Sequence, residues 1–133
     1  AHFSLLPTFS DTFGFSAIES MSESVPVVAT AQGALPEFIH DGENGILLTL
    51  PTSDIGAWTH VGRGDRHTAE YEDLFRSESK RLATETCARL KALLERPEAY
   101  SDMRLQAHAK AKELFSADDA NEFWDDFYCK VMR

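Results

Sequence analysis

Two carboxylates, Asp11 and Glu19, bracket a Phe13-Gly14-Phe15 turn in the stretch SDTFGFSAIESMSESVPVVATAQG, residues 10–33. A loop that tightens at Gly14 and opens directly into a helix presents unpaired backbone N–H groups at the start of that helix, a natural seat for a phosphate. Each carboxylate can accept two hydroxyl hydrogen bonds at once. The combination suits a ligand phosphorylated at one end and hydroxylated around it, as a nucleotide sugar is. On spacing alone, the pair reads more simply as a helix-opening acid and a solvated helix face. Gly14 serves a turn under either reading.

These residues need a frame. The chain has 133 residues, 43% apolar and 26% charged, enough for one domain with its own core and too few for two of ordinary size. A net charge of -9 and a pI near 4.9 argue against broad nucleic-acid binding, which demands a clustered basic face. Lys80-Arg81, Arg89-Lys91 and Lys110-Lys112 lie among acidic residues on helical segments and read as mixed-charge solvated faces. Cys87 and Cys129, without a CxxC arrangement, read as buried thiols of a reduced compartment. No apolar run approaches the roughly 18 residues of a membrane span and no basic-then-apolar leader precedes the first strand. A soluble, cytoplasmic chain is expected, with a peripheral membrane contact left open. The chain starts without Met inside the apolar run Phe3–Leu6, as though cut from within a larger protein.

Ala1–Leu6 predicts a short strand closed by Pro7. Phe15, Ile18 and Met21 recur at helical spacing up to Ser22, with Glu19 on another face. Val25-Pro26-Val27-Val28-Ala29 predicts a buried parallel strand. One helical turn follows, with Pro36 at its first position and Gly42 at its end, and Gly45–Leu48 is a third strand. Strand and helix alternating across short loops is the grammar of a right-handed parallel α/β sheet. Three strands make half of a doubly wound domain. Residues 1–50 thus form the strand/helix core, 51–70 a polar loop insertion, and 71–133 a helical tail. Two apolar stripes mark the tail, one of Leu82, Ala83, Cys87, Leu90, Leu93 and Leu94, the other of Met103, Ala107, Ala111, Leu114 and Phe115. The last helix opens on Ser116 with Asp119 in a capping-box spacing and carries Ala120, Phe123, Trp124, Phe127, Tyr128 and Val131 on one stripe.

Laid out in order, Leu6-Pro7-Thr8, Asp11–Phe15, Ile18–Met21, Val25–Thr30, Gly33–Ile39 and Asp41–Leu48 resemble the signature blocks of family 4 (group 1) retaining glycosyltransferases. Six collinear blocks are far more specific than any one of them. The resemblance implies an α/β fold: a partial Rossmann-like parallel sheet, the second half of a GT-B C-terminal domain, followed by a helical tail. It implies transfer of a sugar from a nucleoside-diphosphate sugar to an acceptor hydroxyl with retention, without metal or cofactor. Carried over by position, the resemblance implies that Asp11 is the catalytic-site acid contacting hydroxyls of the transferred sugar and that Glu19 holds the ribose hydroxyls. The backbone amides of Phe13, Gly14, Phe15 and Ser16 face the sugar and diphosphate, where a helix N-terminus offsets charge that grows as the diphosphate departs. Gly14 leaves room for the phosphate that a Cβ would take.

This chain departs from the pattern at several positions. Asp11 replaces a Glu, Thr12 and Ala34 replace Gly, and Ser24 stands where Gly is common. The family's acceptor domain and its basic diphosphate-contacting pair belong upstream, so this portion alone is expected to be inactive, with the N-terminal domain and an acceptor (sugar, lipid or small molecule) as its partners. A non-catalytic nucleotide-sugar-binding or interaction module with the same fold is the competing reading. His60, Asp65 and His67 have no fixed spacing that would make them metal ligands.

Overall fold

The computed structural model describes residues 1–132. Its elements run β1 (Ser4–Leu6), α1 (Phe15–Ser22), β2 (Val27–Thr30), α2 (Leu35–Phe38), β3 (Gly45–Leu48), α3 (Ala69–Leu94), α4 (Pro97–Phe115) and α5 (Ala117–Val131). The three strands are parallel in the order β1-β2-β3, with Leu5 opposite Val28 and Val28 opposite Ile46. The fold is α/β, a small Rossmann-like parallel sheet with a helical tail.

All four residues of β2 are buried, because both faces of the sheet are covered. On one face Val27 and Ala29 pack with Ala17 and Met21 of α1, Leu35 and Phe38 of α2, and Ala107 and Ala111 of α4. The two small α4 residues let that helix lie close to α1. On the other face Val28, Ile46 and Leu48 pack with Leu82 and Leu93 of α3, Met103 of α4, and Trp58. Leu5 of the edge strand β1 is 60% exposed.

The helices start where their caps dictate. Thr68 Oγ1 accepts the Tyr71 N–H at the head of α3, and Ser116 Oγ accepts the Asp119 N–H at the head of α5. Pro97 opens α4 at a position where its missing N–H costs nothing. Several boundaries differ from the sequence expectation. Val25 is outside β2, since its N–H donates to the Ser20 carbonyl and closes α1, while the carbonyl of Pro26 accepts from Ser4. Pro36 occupies the second helical position, after Leu35, and α2 is capped at Ile39, ahead of Gly42.

The apolar stripes of the tail are covered only in part. A three-stranded sheet shields Leu82 and Leu93 but leaves Leu94 55% exposed, and Leu114 of α4 is also exposed. Cys87 and Cys129 are both exposed, contrary to the expectation of buried thiols: Cys87 faces beyond the β1 edge, and no residue of α5 is buried. On α5, Phe123, Trp124, Phe127 and Tyr128 pack against one another, mostly edge to face, with neighbouring ring centroids 5.4–5.9 Å apart. Among the described residues no helix is long and apolar enough to cross a membrane.

Candidate functional site

Loops leave the carboxyl ends of all three strands on one edge of the sheet, the edge where open α/β sheets place their ligands. The loop after β1 is tied down at several points. Thr30 at the end of β2 donates its hydroxyl to the Thr8 carbonyl. Gln32 Oε1 accepts the Asp11 N–H at 3.4 Å. Asp11 itself is half-buried, and its Oδ1 accepts from the Phe13 N–H at 3.0 Å and the Gly14 N–H at 2.7 Å. The carboxylate therefore shapes the turn, and Oδ2 is left without a protein partner among the described residues.

This bonding divides the four backbone amides of the turn. Those of Phe13 and Gly14 are committed to Asp11; those of Phe15 and Ser16, at the N-terminus of α1, have no partner among the described residues. Glu19 lies one turn along, exposed, on the face shared with Phe15 and Ser16, while Ala17 and Met21 face the core. Phe13, at 5.1 Å from Phe15 and 6.0 Å from Phe115, roots that surface in the aromatic packing between α2 and α4. The far end of α1 is held by α4: Arg104 Nε donates to the Ser24 carbonyl at 3.0 Å, and His108 Nδ1 lies 2.7 Å from the Ser22 carbonyl.

Gly14 has a positive φ of 78°, and a Cβ there would point into the core against Leu35 Cδ2 and Phe38, so, contrary to the expectation of room left for a phosphate, the glycine serves the turn's conformation and the packing beneath it. Ser24 has φ 58°, the left-handed conformation for which glycine is suited, at the end of α1. Ala34 and Thr12 lie outside that region and need no glycine.

Sequence reasoning missed Gln32. It is 2% exposed, binds the Asp11 backbone through Oε1, and leaves Nε2 buried and unpaired. A polar residue between a buried strand and Gly33 is the signal that could have drawn attention to it. Among the described residues no group of three or more His, Cys, Asp or Glu converges as a metal site. Asp65 instead pairs with Arg63, whose hydrogen bond holds the Asp65 carboxyl below the usual carboxylate range. No Lys or Arg precedes Arg63 in the chain, so the loop and α1 supply amides and carboxylates but no cation. A cavity of about 480 Å³ at the β1 edge is lined by Leu5, Phe9, Phe75, Leu82 and Cys87 and includes neither Asp11 nor Glu19.

Comparison with known proteins shows what this arrangement resembles. The model of the family "Glycosyl transferases group 1" matches residues 1–63, the stretch that holds β1 to β3 and the loops at their carboxyl ends. Residues 1–63 are thus similar to the group 1 glycosyl transferases. A D-inositol 3-phosphate glycosyltransferase of Mycobacterium sp. (strain KMS) is 40% identical over 56 residues, 42% of this chain and 12% of that relative. The protein of the same name from Streptomyces bingchenggensis is 32% identical over 78 residues, 50% of this chain and 17% of its own length. That from Mycolicibacterium smegmatis is 42% identical over 53 residues, 40% of this chain. The chain thus spans less than a fifth of the length of these relatives. The matched segment ends inside the polar stretch before α3; α3, α4 and α5 lie outside the family match.

Proposed function

We propose that this chain forms the donor side of a retaining glycosyltransferase, binding a nucleoside-diphosphate sugar without a cofactor or metal. The observation that carries the reading is the pair of open amides of Phe15 and Ser16 one helical turn from the exposed Glu19 carboxylate. The amides bind a diphosphate oxygen, and Glu19 accepts the two ribose hydroxyls. Asp11 Oδ2 accepts a hydroxyl of the transferred sugar, while Oδ1 keeps the turn closed. In the reaction the bond between the sugar C1 and the diphosphate oxygen breaks with its electron pair leaving on the diphosphate, the acceptor oxygen bonds to C1 on the same face, and the acceptor hydroxyl proton passes to the departing diphosphate oxygen. The dipole of α1 and the two amides oppose the charge that collects on the departing diphosphate.

Because no Lys or Arg precedes residue 63, the cation that neutralises the diphosphate comes from a separate N-terminal domain, which also carries the acceptor. The chain alone therefore binds donor but does not turn it over in the cytoplasm. D-inositol 3-phosphate, named for the relatives above, is a candidate acceptor. The same lack of cations favours, as a second reading, a module that binds nucleotide sugars and catalyses nothing.

Calorimetric titration of the chain with UDP, GDP and ADP tests the donor site. The nucleotide that binds is expected to lose at least about tenfold in affinity on Glu19→Ala, the scale of losing charge-assisted hydrogen bonds. The thermal midpoint stays put because Glu19 is exposed. Undiminished affinity in Glu19→Ala removes the ribose assignment. Joining the chain to an N-terminal domain and following glycosyl transfer separates the two readings, since the module alone predicts binding without turnover.

A further inference from the structure

The loop after β3 leans on the donor loop. Residues 51–59 form a hairpin in which Thr59 donates its N–H to the Pro51 carbonyl at 2.9 Å, Ser53 to Ala57 at 2.8 Å, and Gly56 back to Ser53 at 2.9 Å. Thr52 and Trp58 bridge as an antiparallel pair. Trp58 anchors the stem: it is 2% exposed and packs on Phe9, with centroids 4.5 Å apart, and on Phe75 and Tyr71 at 6.4 Å.

The tip is fastened to the site itself. The Gly33 N–H donates to the Gly56 carbonyl at 2.9 Å. On its other side Gly33 is pressed against the Asp11 loop, where a Cβ would lie 2.7 Å from the Asp11 carbonyl oxygen. A single glycine therefore separates the hairpin tip from the residue proposed to read the sugar. Asp54 and Ile55 immediately precede Gly56. Ile55 is 87% exposed, an isolated apolar side chain at the tip of an ordered turn, and Asp54 is exposed with no ion pair among the described residues.

We infer that the hairpin tip is the specificity-determining wall for the transferred sugar, with Asp54 accepting sugar hydroxyls and Ile55 covering a C–H face of the ring. This rests on the donor site proposed above. Sugars are amphipathic, and a binding wall needs a fixed acceptor for the hydroxyls and an apolar surface for the ring carbons. Asp54 and Ile55 supply both in adjacent positions. The anchor at Trp58 and the clamp at Gly33 hold them without a folding step on binding, which keeps the ordering cost low.

The test is a set of backbone amide spectra of the ¹⁵N-labelled chain with UDP, UDP-glucose, GDP, GDP-mannose, ADP and ADP-glucose. Whichever nucleotide shifts Phe15, Ser16 and Glu19, its sugar conjugate is expected to shift Asp54, Ile55 and Gly56 as well, and the free nucleotide is not. Asp54→Asn and Ile55→Ala, both at exposed positions, are each expected to weaken the conjugate about fivefold and leave the free nucleotide unchanged. Hairpin amides that stay silent while α1 responds to a conjugate overturn the inference and leave the donor site standing. Equal affinities of both variants and the parent chain for the conjugate also overturn it. Silence at α1 and the hairpin with every probe overturns the donor site, and the wall with it.

Discussion

Gly14 and Ser24 sit at the two ends of α1 with the same backbone hand and opposite fitness for it. Gly14 adopts φ 78° freely and leaves the space that Leu35 fills. Gly14→Ala adds a left-handed strain and a collision with Leu35 Cδ2, so a loss of about 2–3 kcal/mol is expected. Ser24 holds φ 58° with a Cβ, and Ser24→Gly is expected to gain up to about 1 kcal/mol by relieving it. Thermal or urea unfolding of the two variants checks both signs. The positions themselves could be read from the chain, since a turn glycine before a helix and a serine in a glycine's place are both visible in the sequence. The reason for Gly14 could not. The collision is with Leu35 across the sheet edge, and pairing over that separation has no local signature. Gln32 was hidden for the same reason, because only the folded loop shows that its amide reaches the Asp11 backbone. The commitment of Asp11 Oδ1 to Phe13 and Gly14 is likewise a matter of three-dimensional placement: spacing shows a carboxylate near a turn but not which of its oxygens is free.

At the level of elements, periodic patterns were legible where a face is buried. Helix α1 runs over Phe15–Ser22 and β3 over Gly45–Leu48, as the apolar spacing indicates. The segment after Pro51 has no such period because its order comes from one anchor, Trp58, and from backbone bonds across a turn. Further along this segment, the Arg63 guanidinium lies 2.5 Å from the Asp65 carboxylate, and the Asp65 backbone carbonyl accepts from Thr68 at the head of α3. Asp65 titrates below its ordinary range chiefly because of the Arg63 hydrogen bond. Its folded value is thus below its unfolded value, and the stabilisation is present above the unfolded pKa and lost as pH falls through the folded one. Acidification is expected to release the 63–68 turn only below the usual carboxylate range, and Asp65→Asn to remove that pH dependence. Carboxyl carbon shifts of Asp65 followed with the Thr68 amide against pH check it; an ordinary midpoint contradicts the pairing.

On the scale of the whole molecule, the covered sheet contrasts with the bare helix that follows it. The Phe123–Tyr128 stripe on α5 was visible from its spacing, but a stripe says only that a helix has a face, and no residue of this one is buried. Cys87 misled for a related reason: its place on the α3 stripe suggested cover that a three-stranded sheet does not extend to it. Helix α4 is different, since it holds α1 from behind. Arg104 and His108 reach back 80 and 86 residues to the carbonyls of Ser24 and Ser22, and Ala107 and Ala111 lie in the core against α1. Detaching α4 would release the helix whose first turn offers the Phe15 and Ser16 amides. Occupancy of those amides and the opening of α4 are therefore linked equilibria, and a ligand that binds only the closed form must slow the opening it opposes. The nucleotide that binds the chain is expected to slow hydrogen exchange at the Ala107 and Ala111 amides of α4, which line the core behind α1. Exchange there that ignores the nucleotide would mean that α1 keeps its place without α4. Helix α4, outside the family match, is thus expected to act as a thermodynamic governor on a site that it meets only at its edge, where Phe115 packs on Phe13.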